Sequence, residues 1–184
     1  NIDKKDNHLF TKNGYHFQTI IKAVGLGGAR VYNKTDITFN LYKSIFKGSV
    51  FASRLQVGKL WNWNKNYKDY SYEKFYLGGS SSMRGWEVLR FNVNNDGDPY
   101  GGTFRIMTNI ELRQKLYKSL GLTIFADGGF LSDEISENIF PELKWDAGIG
   151  FTIDTPLGPI RIDYAYQISN RANQEIQFGL QSLF

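Results

Sequence analysis

Apolar and polar residues alternate one by one along most of this chain. A two-residue period fits extended strands whose two faces differ, and it fits no helix. The C-terminal run shows it plainly: Ile176, Phe178, Leu180 and Phe184 fall on one face, with Ser182 the one polar residue there, while Glu175, Gln177, Gly179 and Gln181 fall on the other. Upstream, Ile160, Ile162, Tyr164 and Tyr166 oppose Arg161, Asp163 and Ala165. Trp145, Ala147, Ile149, Phe151 and Ile153 oppose Asp146, Gly148, Gly150, Thr152 and Asp154. Leu122, Ile124 and Ala126 oppose Thr123, Phe125 and Asp127. Phe104, Ile106, Thr108, Ile110 and Leu112 oppose Arg105, Met107, Asn109, Glu111 and Arg113. Weaker alternation marks strands near 48–60 (Phe51, Leu55, Val57), 35–44 (Ile37, Phe39, Leu41) and 15–24 (Tyr15, Phe17, Ile21). The expectation is therefore all-β, with eight antiparallel strands and no convincing helix. Pro99, Pro141, Pro156 and Pro159 all lie between strands, where a missing N–H is harmless.

The connections carry topology. They are short at 43–48, 116–119 and 155–159, longer at 25–34, 131–143 and 168–173, and very long at 61–97. Tight turns on one side and longer loops on the other are the pattern of an outer-membrane barrel. An even strand count puts both chain ends on the short-turn, periplasmic side. Residues 1–13 are polar and are expected to be a lead-in, with 14–184 forming the barrel domain. In a soluble sandwich or a lipocalin-like binding barrel the apolar face would be the core; in a transmembrane β-barrel it would meet lipid. Two features favour lipid. The polar face mixes glycine with charges of both signs, as a lumen would. The apolar face carries Tyr and Phe towards strand ends, as interfacial girdles would.

Other function classes find little support. The 184 residues contain no apolar run of helical membrane-spanning length, although mean hydropathy is only −0.39, as alternating strands allow. No cysteine is present, which removes disulfides, thiolate metal sites and thiol catalysis. The net charge of +4 is diffuse, so no nucleic-acid partner is expected. No basic-then-apolar leader precedes the first strand, so any signal peptide is expected to be absent or removed. Ser80, Ser81 and Ser82 with His8 or His16 show no nucleophile-elbow pattern, and no catalytic residue, enzyme activity or cofactor is expected. Asp133, Glu134, Glu137 and Glu142 fit no calcium loop and read as a solvated acidic segment, so no metal is expected. Trp61, Trp63 and Tyr67 read as interface anchors at the rim where the long loop begins.

The long connection holds the most informative residues. Phe75-Tyr76-Leu77-Gly78-Gly79, then Met83-Arg84-Gly85-Trp86, resembles the long-loop signature of the BamA/TamA outer-membrane insertase family, a Gly-Gly pair followed by Val-Arg-Gly-Phe/Tyr. Met and Trp stand at its outer positions here. Phe125-Ala126-Asp127-Gly128-Gly129 resembles the family's aromatic-x-Asp-x-Gly strand motif. Gly148-Ile149-Gly150-Phe151 with Thr155-Pro156-Leu157-Gly158-Pro159-Ile160-Arg161-Ile162-Asp163-Tyr164 resembles its penultimate hairpin. The final strand, with Phe178, Leu180 and Phe184 in one row, resembles the C-terminal assembly signal, with Ser182 in place of an aromatic.

The resemblance implies that loop 61–97 folds back into the lumen and that Arg84 pairs with Asp127. The chemistry agrees, since a confined guanidinium cannot shed its proton and matches a planar carboxylate. Gly78, Gly79 and Gly85 would let the loop turn and approach the wall, and Gly129, Gly148 and Gly150 would leave it room. Read without the motif, Arg84 is a solvated loop arginine and Asp127 an ordinary strand carboxylate. The resemblance further implies an integral outer-membrane barrel of a Gram-negative cell that helps insert other outer-membrane proteins. Its mechanism would be strand pairing at a lateral seam. The partners implied are outer-membrane lipids, client β-barrel proteins and periplasmic or lipoprotein assembly factors. Barrels of this family have about sixteen strands, so eight strands read as the C-terminal half, completed by an N-terminal half or a second copy. A genuinely short structural or pore-forming barrel without insertase activity is the alternative, although some 35 loop residues would crowd an eight-stranded lumen.

Overall fold

A computed structural model describes residues 1–25, 31–63, 70–135, 139–168 and 173–180, with Phe140 described by its backbone only. One nine-stranded antiparallel sheet runs in chain order: β1 (Ile2–Asp3), β2 (Gly14–Val24), β3 (Tyr32–Phe46), β4 (Ser49–Asn62), β5 (Phe104–Tyr117), β6 (Leu120–Ser132), β7 (Lys144–Thr155), β8 (Gly158–Gln167) and β9 (Gln174–Leu180). The all-β antiparallel expectation holds, and the eight expected strands are β2 to β9. The ninth is a correction. Ile2–Asp3, placed in the lead-in, pairs with Phe17 and His16 of β2. β1 is antiparallel to β2, so the chain passes through it towards the short-turn side, whereas β9 ends on that side. Two small helical turns also occur, η1 (Ser71–Glu73) and α1 (Ile139–Glu142). Among the described residues β9 pairs with β8 alone and β1 with β2 alone, so the sheet is open.

Three hairpins have two-residue turns: Lys47-Gly48, Lys118-Ser119 and Pro156-Leu157. Such turns leave little slack and lock register. The register therefore lines up one residue from each strand in rows across the sheet. On the outward face Leu122, Phe151, Ile162 and Phe178 form such a row. On the inward face Asp3, His16, Asn40, Arg54, Asn109, Asp127, Asp146 and Gln167 form another, spanning β1 to β8.

Burial shows which face is which. Ile162 is 47% exposed and Phe178 72%, while Arg161, Asp163 and Asp127 are buried. A soluble binding barrel would bury the apolar row instead, so the lipocalin-like alternative fails on this observation. Outward aromatics stand near both rims, with Phe46 and Tyr117 at the short-turn end and Trp61 and Trp63 at the other. Tyr67 lies outside the described residues. The polar concave face is filled by the long loop. Leu77, Met83, Trp86 and Phe91 from the loop join Leu60, Met107 and Leu131 from the wall in one buried cluster.

Candidate functional site: the pinned loop

The loop runs from Trp63 to Thr103, a little longer than the alternation alone suggests. Its stem is a small ladder, with Phe75 N–H donating to Gly102 O (2.9 Å) and Gly102 N–H to Phe75 O (3.0 Å). The Phe75 ring lies on Gly58, where a Cβ would come within 2.5 Å of it. Lys34 and Arg105 flank that ring at 4.4 and 4.8 Å from its centroid. Glu73 accepts from Lys22 Nζ at 2.8 Å, and its carbonyl accepts from Lys34 Nζ at 2.6 Å. Lys22 and Lys34 are direct cross-strand partners, so this carboxylate relieves a like-charge pair.

Beyond the stem the chain reverses at Gly78 and Gly79, with φ of +114° and +91°. Side chains rarely adopt these angles, which accounts for the glycine pair. Ser82 Oγ closes the turn, accepting from Gly78 N–H (2.8 Å) and donating to Gly78 O (2.9 Å). The reversal delivers Met83, Arg84, Gly85 and Trp86 into the concave face, all buried.

Arg84 is 0% exposed. Its Nε and Nη2 donate to the two oxygens of Asp127 at 2.8 and 2.7 Å. Its Nη1 donates to Glu111 at 2.6 Å and lies 3.8 Å from Asp163. The guanidinium also stacks on Phe125, 3.4 Å from the ring centroid. Burial alone would weaken its hold on the proton, but Asp127 and Glu111 outweigh this and raise its pKa above the ordinary arginine value. The pairing expected between Arg84 and Asp127 is thus present, within a larger set. Gly85 N–H donates to Asp146 (2.9 Å), Gly85 O accepts from Gln167 (2.8 Å), and Trp86 O accepts from Gln177 (3.2 Å). A Cβ at position 85 would fall 2.6 Å from that of Asp146, so only glycine sits this close.

The other expected positions divide. Gly129 makes room for the loop, with Met83, Leu77 and Phe91 against it. Gly148 and Gly150 were expected to do the same, and here the structure corrects the expectation. Gly148 makes room for the Phe125 ring, and Gly150 for the Asp163 carboxylate. Their smallness serves the loop through those two side chains. Phe178 and Leu180 point outward, Leu180 being 82% exposed, and Phe184 lies outside the described residues. His16 bonds Asn1 and His8 faces Asp3, both remote in the chain from the serine turn. Asp133 takes Lys74 Nζ and Thr103 N–H.

Several site residues stood on the polar faces without being singled out: Arg54, Asn109, Glu111, Asp146, Arg161 and Asp163. The signal that identifies them is register, because the inward row places Arg54, Asn109, Asp127 and Asp146 side by side. Arg54, Arg84, Arg113 and Arg161 here stand among Glu111, Asp127, Asp146 and Asp163. Together these side chains hold the loop tip against the wall.

The Omp85 superfamily domain model matches residues 1–182. The chain belongs to the Omp85 superfamily. Outer membrane protein assembly factor BamA of Nitratidesulfovibrio vulgaris is 26% identical over 184 residues, covering 96% of this chain and 23% of that protein. The same factor of Neorickettsia risticii is 25% identical, covering 100% and 26%. The sorting and assembly machinery component 50 homolog of Mus musculus is 28% identical over 102 residues, covering 55% and 22%. The crystal structure of BamA from Haemophilus ducreyi lacking POTRA domains 1–3 superposes with a TM-score of 0.78 at 18% identity, covering 95% of this chain and 39% of that one. This Omp85 domain therefore spans about a quarter of the length of the curated relatives it matches.

Proposed function

We propose that this Omp85 domain is the C-terminal part of an outer-membrane barrel that assists the insertion of other outer-membrane proteins. The carrying observation is the loop tip held inside the polar concave face by Arg84, Asp127 and Glu111. A barrel that only had to stand in a membrane would not need to bury an arginine from a loop of this length. The outward rows of Ile, Leu and Phe meet outer-membrane lipid, and the short-turn side with the end of β9 faces the periplasm. The domain works without an active site of its own. β9 has one unpaired edge among the described residues, and an incoming client strand adds to such an edge through main-chain hydrogen bonds. The pinned loop braces the wall while that edge opens. The rest of the ring is supplied by a further barrel portion of the same protein, and periplasmic or lipoprotein factors deliver the client.

The test is reconstitution of the full-length protein in liposomes with a urea-unfolded client barrel. Client folding, read as heat-modifiable mobility, is expected to run faster than in empty liposomes and to fall to the empty-liposome rate with Arg84→Ala. Equal rates with and without the wild-type protein would overturn the reading.

A further inference from the structure

The loop tip is held a second time, through its main chain. Three consecutive carbonyls, those of Ser80, Ser81 and Ser82, each accept a hydrogen bond from a different strand. Arg161 Nη2 of β8 donates to Ser80 O at 2.9 Å. Arg54 Nη2 of β4 donates to Ser81 O at 2.8 Å. Asn109 Nδ2 of β5 donates to Ser82 O at 2.7 Å. The tip turn explains why three carbonyls need outside donors. Its N–H groups are turned inward, with Ser82 N–H on Gly79 O (3.1 Å) and Gly79 N–H on Met83 O and Trp86 O (3.1 and 2.9 Å). The carbonyls point out of the turn, and in a confined lumen each requires a partner.

The three donors are themselves fixed. Arg54 Nε donates to Asn109 Oδ1 at 2.8 Å, and Asn109 Nδ2 also reaches Asp127 Oδ1 at 2.8 Å. Arg161 Nε donates to Asp163 at 2.7 Å. Arg54 and Arg161 are almost wholly buried, at 7% and 4% exposure. Two buried arginines thus direct part of their fork at peptide oxygens, one from β4 beside β5 and one from β8, which also carries Asp163 close to Arg84.

We propose that Arg54, Asn109 and Arg161 are positioning residues that grip the Ser80–Ser82 main chain and set how deep the loop tip sits, in addition to the Arg84 ion pairs. The proposal rests on the loop being the working part of the domain. The grip reads backbone, so the side chains of Ser80 and Ser81 do not matter to it. Each contact to the tip is one hydrogen bond to one oxygen, so a lysine ammonium can keep that contact even as it gives up the arginine's Nε bond to Asn109 or Asp163. At position 84 it cannot, because Asp127 is bound by a two-pronged fork.

The experiment is hydrogen exchange of the tip amides (residues 79–86) in the full-length protein in liposomes, with client folding measured on the same samples. Arg54→Met and Arg161→Met are expected to raise tip exchange about tenfold, the factor one buried charge-assisted hydrogen bond carries. Arg54→Lys and Arg161→Lys should return it towards wild type, and Ser81→Ala should leave it unchanged. Unchanged exchange in both methionine variants, or an effect of Ser81→Ala as large as theirs, would overturn the grip. If a methionine variant loses heat-modifiable mobility, the matching lysine variant decides: near-native tip exchange supports the grip, and fast exchange in an intact barrel overturns it. If the methionine variants loosen the tip while client folding continues at the wild-type rate, the grip stands and the loop's role in insertion is overturned.

Discussion

Arg84 bonds acids on two strands and lies close to a third, so its removal leaves more charge unpaired than the removal of any one partner. Breaking one side of a buried pair costs about 3–5 kcal/mol. Arg84→Ala should sit at or beyond the top of that range, whereas Asp127→Ala should cost less, because Glu111 still holds the guanidinium. The double variant should be much less damaging than the sum of the two, since contacting residues couple. Urea titrations of heat-modifiable mobility report all three values. Equal single costs that add would show that the network is not shared. Arg84→Lys should recover only part of the loss, because one ammonium cannot replace a guanidinium bonded to Asp127 by two nitrogens and to Glu111 by the third. At this scale the two partners were legible from their motifs. Glu111 and Asp163 were not, because nothing local distinguishes an inward carboxylate that receives a loop from one that meets water.

Among elements, β8 carries the clearest inside-out signal. Ile162 stands in the outward row with Phe151 and Phe178, and its neighbour Arg161 is buried. Ile162→Arg should destabilise the membrane-embedded protein by about 2–4 kcal/mol near mid-bilayer, while Thr152→Gln on the inward face should cost far less. The reverse order would mean that the faces are misassigned. Strand periods, turn positions and face identity were all readable, because a half-buried strand prints its period directly into sequence. The β1 strand was not, since two residues are too few to show a period. The loop stem was missed for a related reason: Phe75 and Gly102 lie far apart in sequence, and only the fold brings them into a ladder. Glu73 in that stem is held below the usual glutamate pKa of 4.5, chiefly by the hydrogen bond from Lys22. A depressed carboxyl stabilises the fold above its unfolded value and loses that contribution as pH falls through the folded one. Exchange of the Lys74 and Phe75 amides, corrected for intrinsic rate, should therefore rise in acid below about pH 4.5, and Glu73→Gln should remove the dependence. A dependence that persists in that variant would locate the titrating group elsewhere.

At the scale of the whole molecule, the loop joins strands that the sheet alone links only pairwise. Residues 80–86 accept hydrogen bonds from Arg54, Asn109, Arg161, Gln167 and Gln177 and donate to Glu111, Asp127 and Asp146, so that every strand from β4 to β9 is joined to the tip. An open sheet acquires a fixed curvature this way, with its apolar side left free for lipid. The central claim is that the tip is seated against the wall in the membrane. The chain has no cysteine, so one introduced thiol gives an unambiguous reading. Met83 in the tip is 0% exposed, whereas Asp96 in the same loop is exposed. In native membranes Met83→Cys should label with a water-soluble maleimide far more slowly than Asp96→Cys, and adding Arg84→Ala to Met83→Cys should bring the two rates together. Equal labelling of Met83→Cys and Asp96→Cys in an assembled barrel would contradict it.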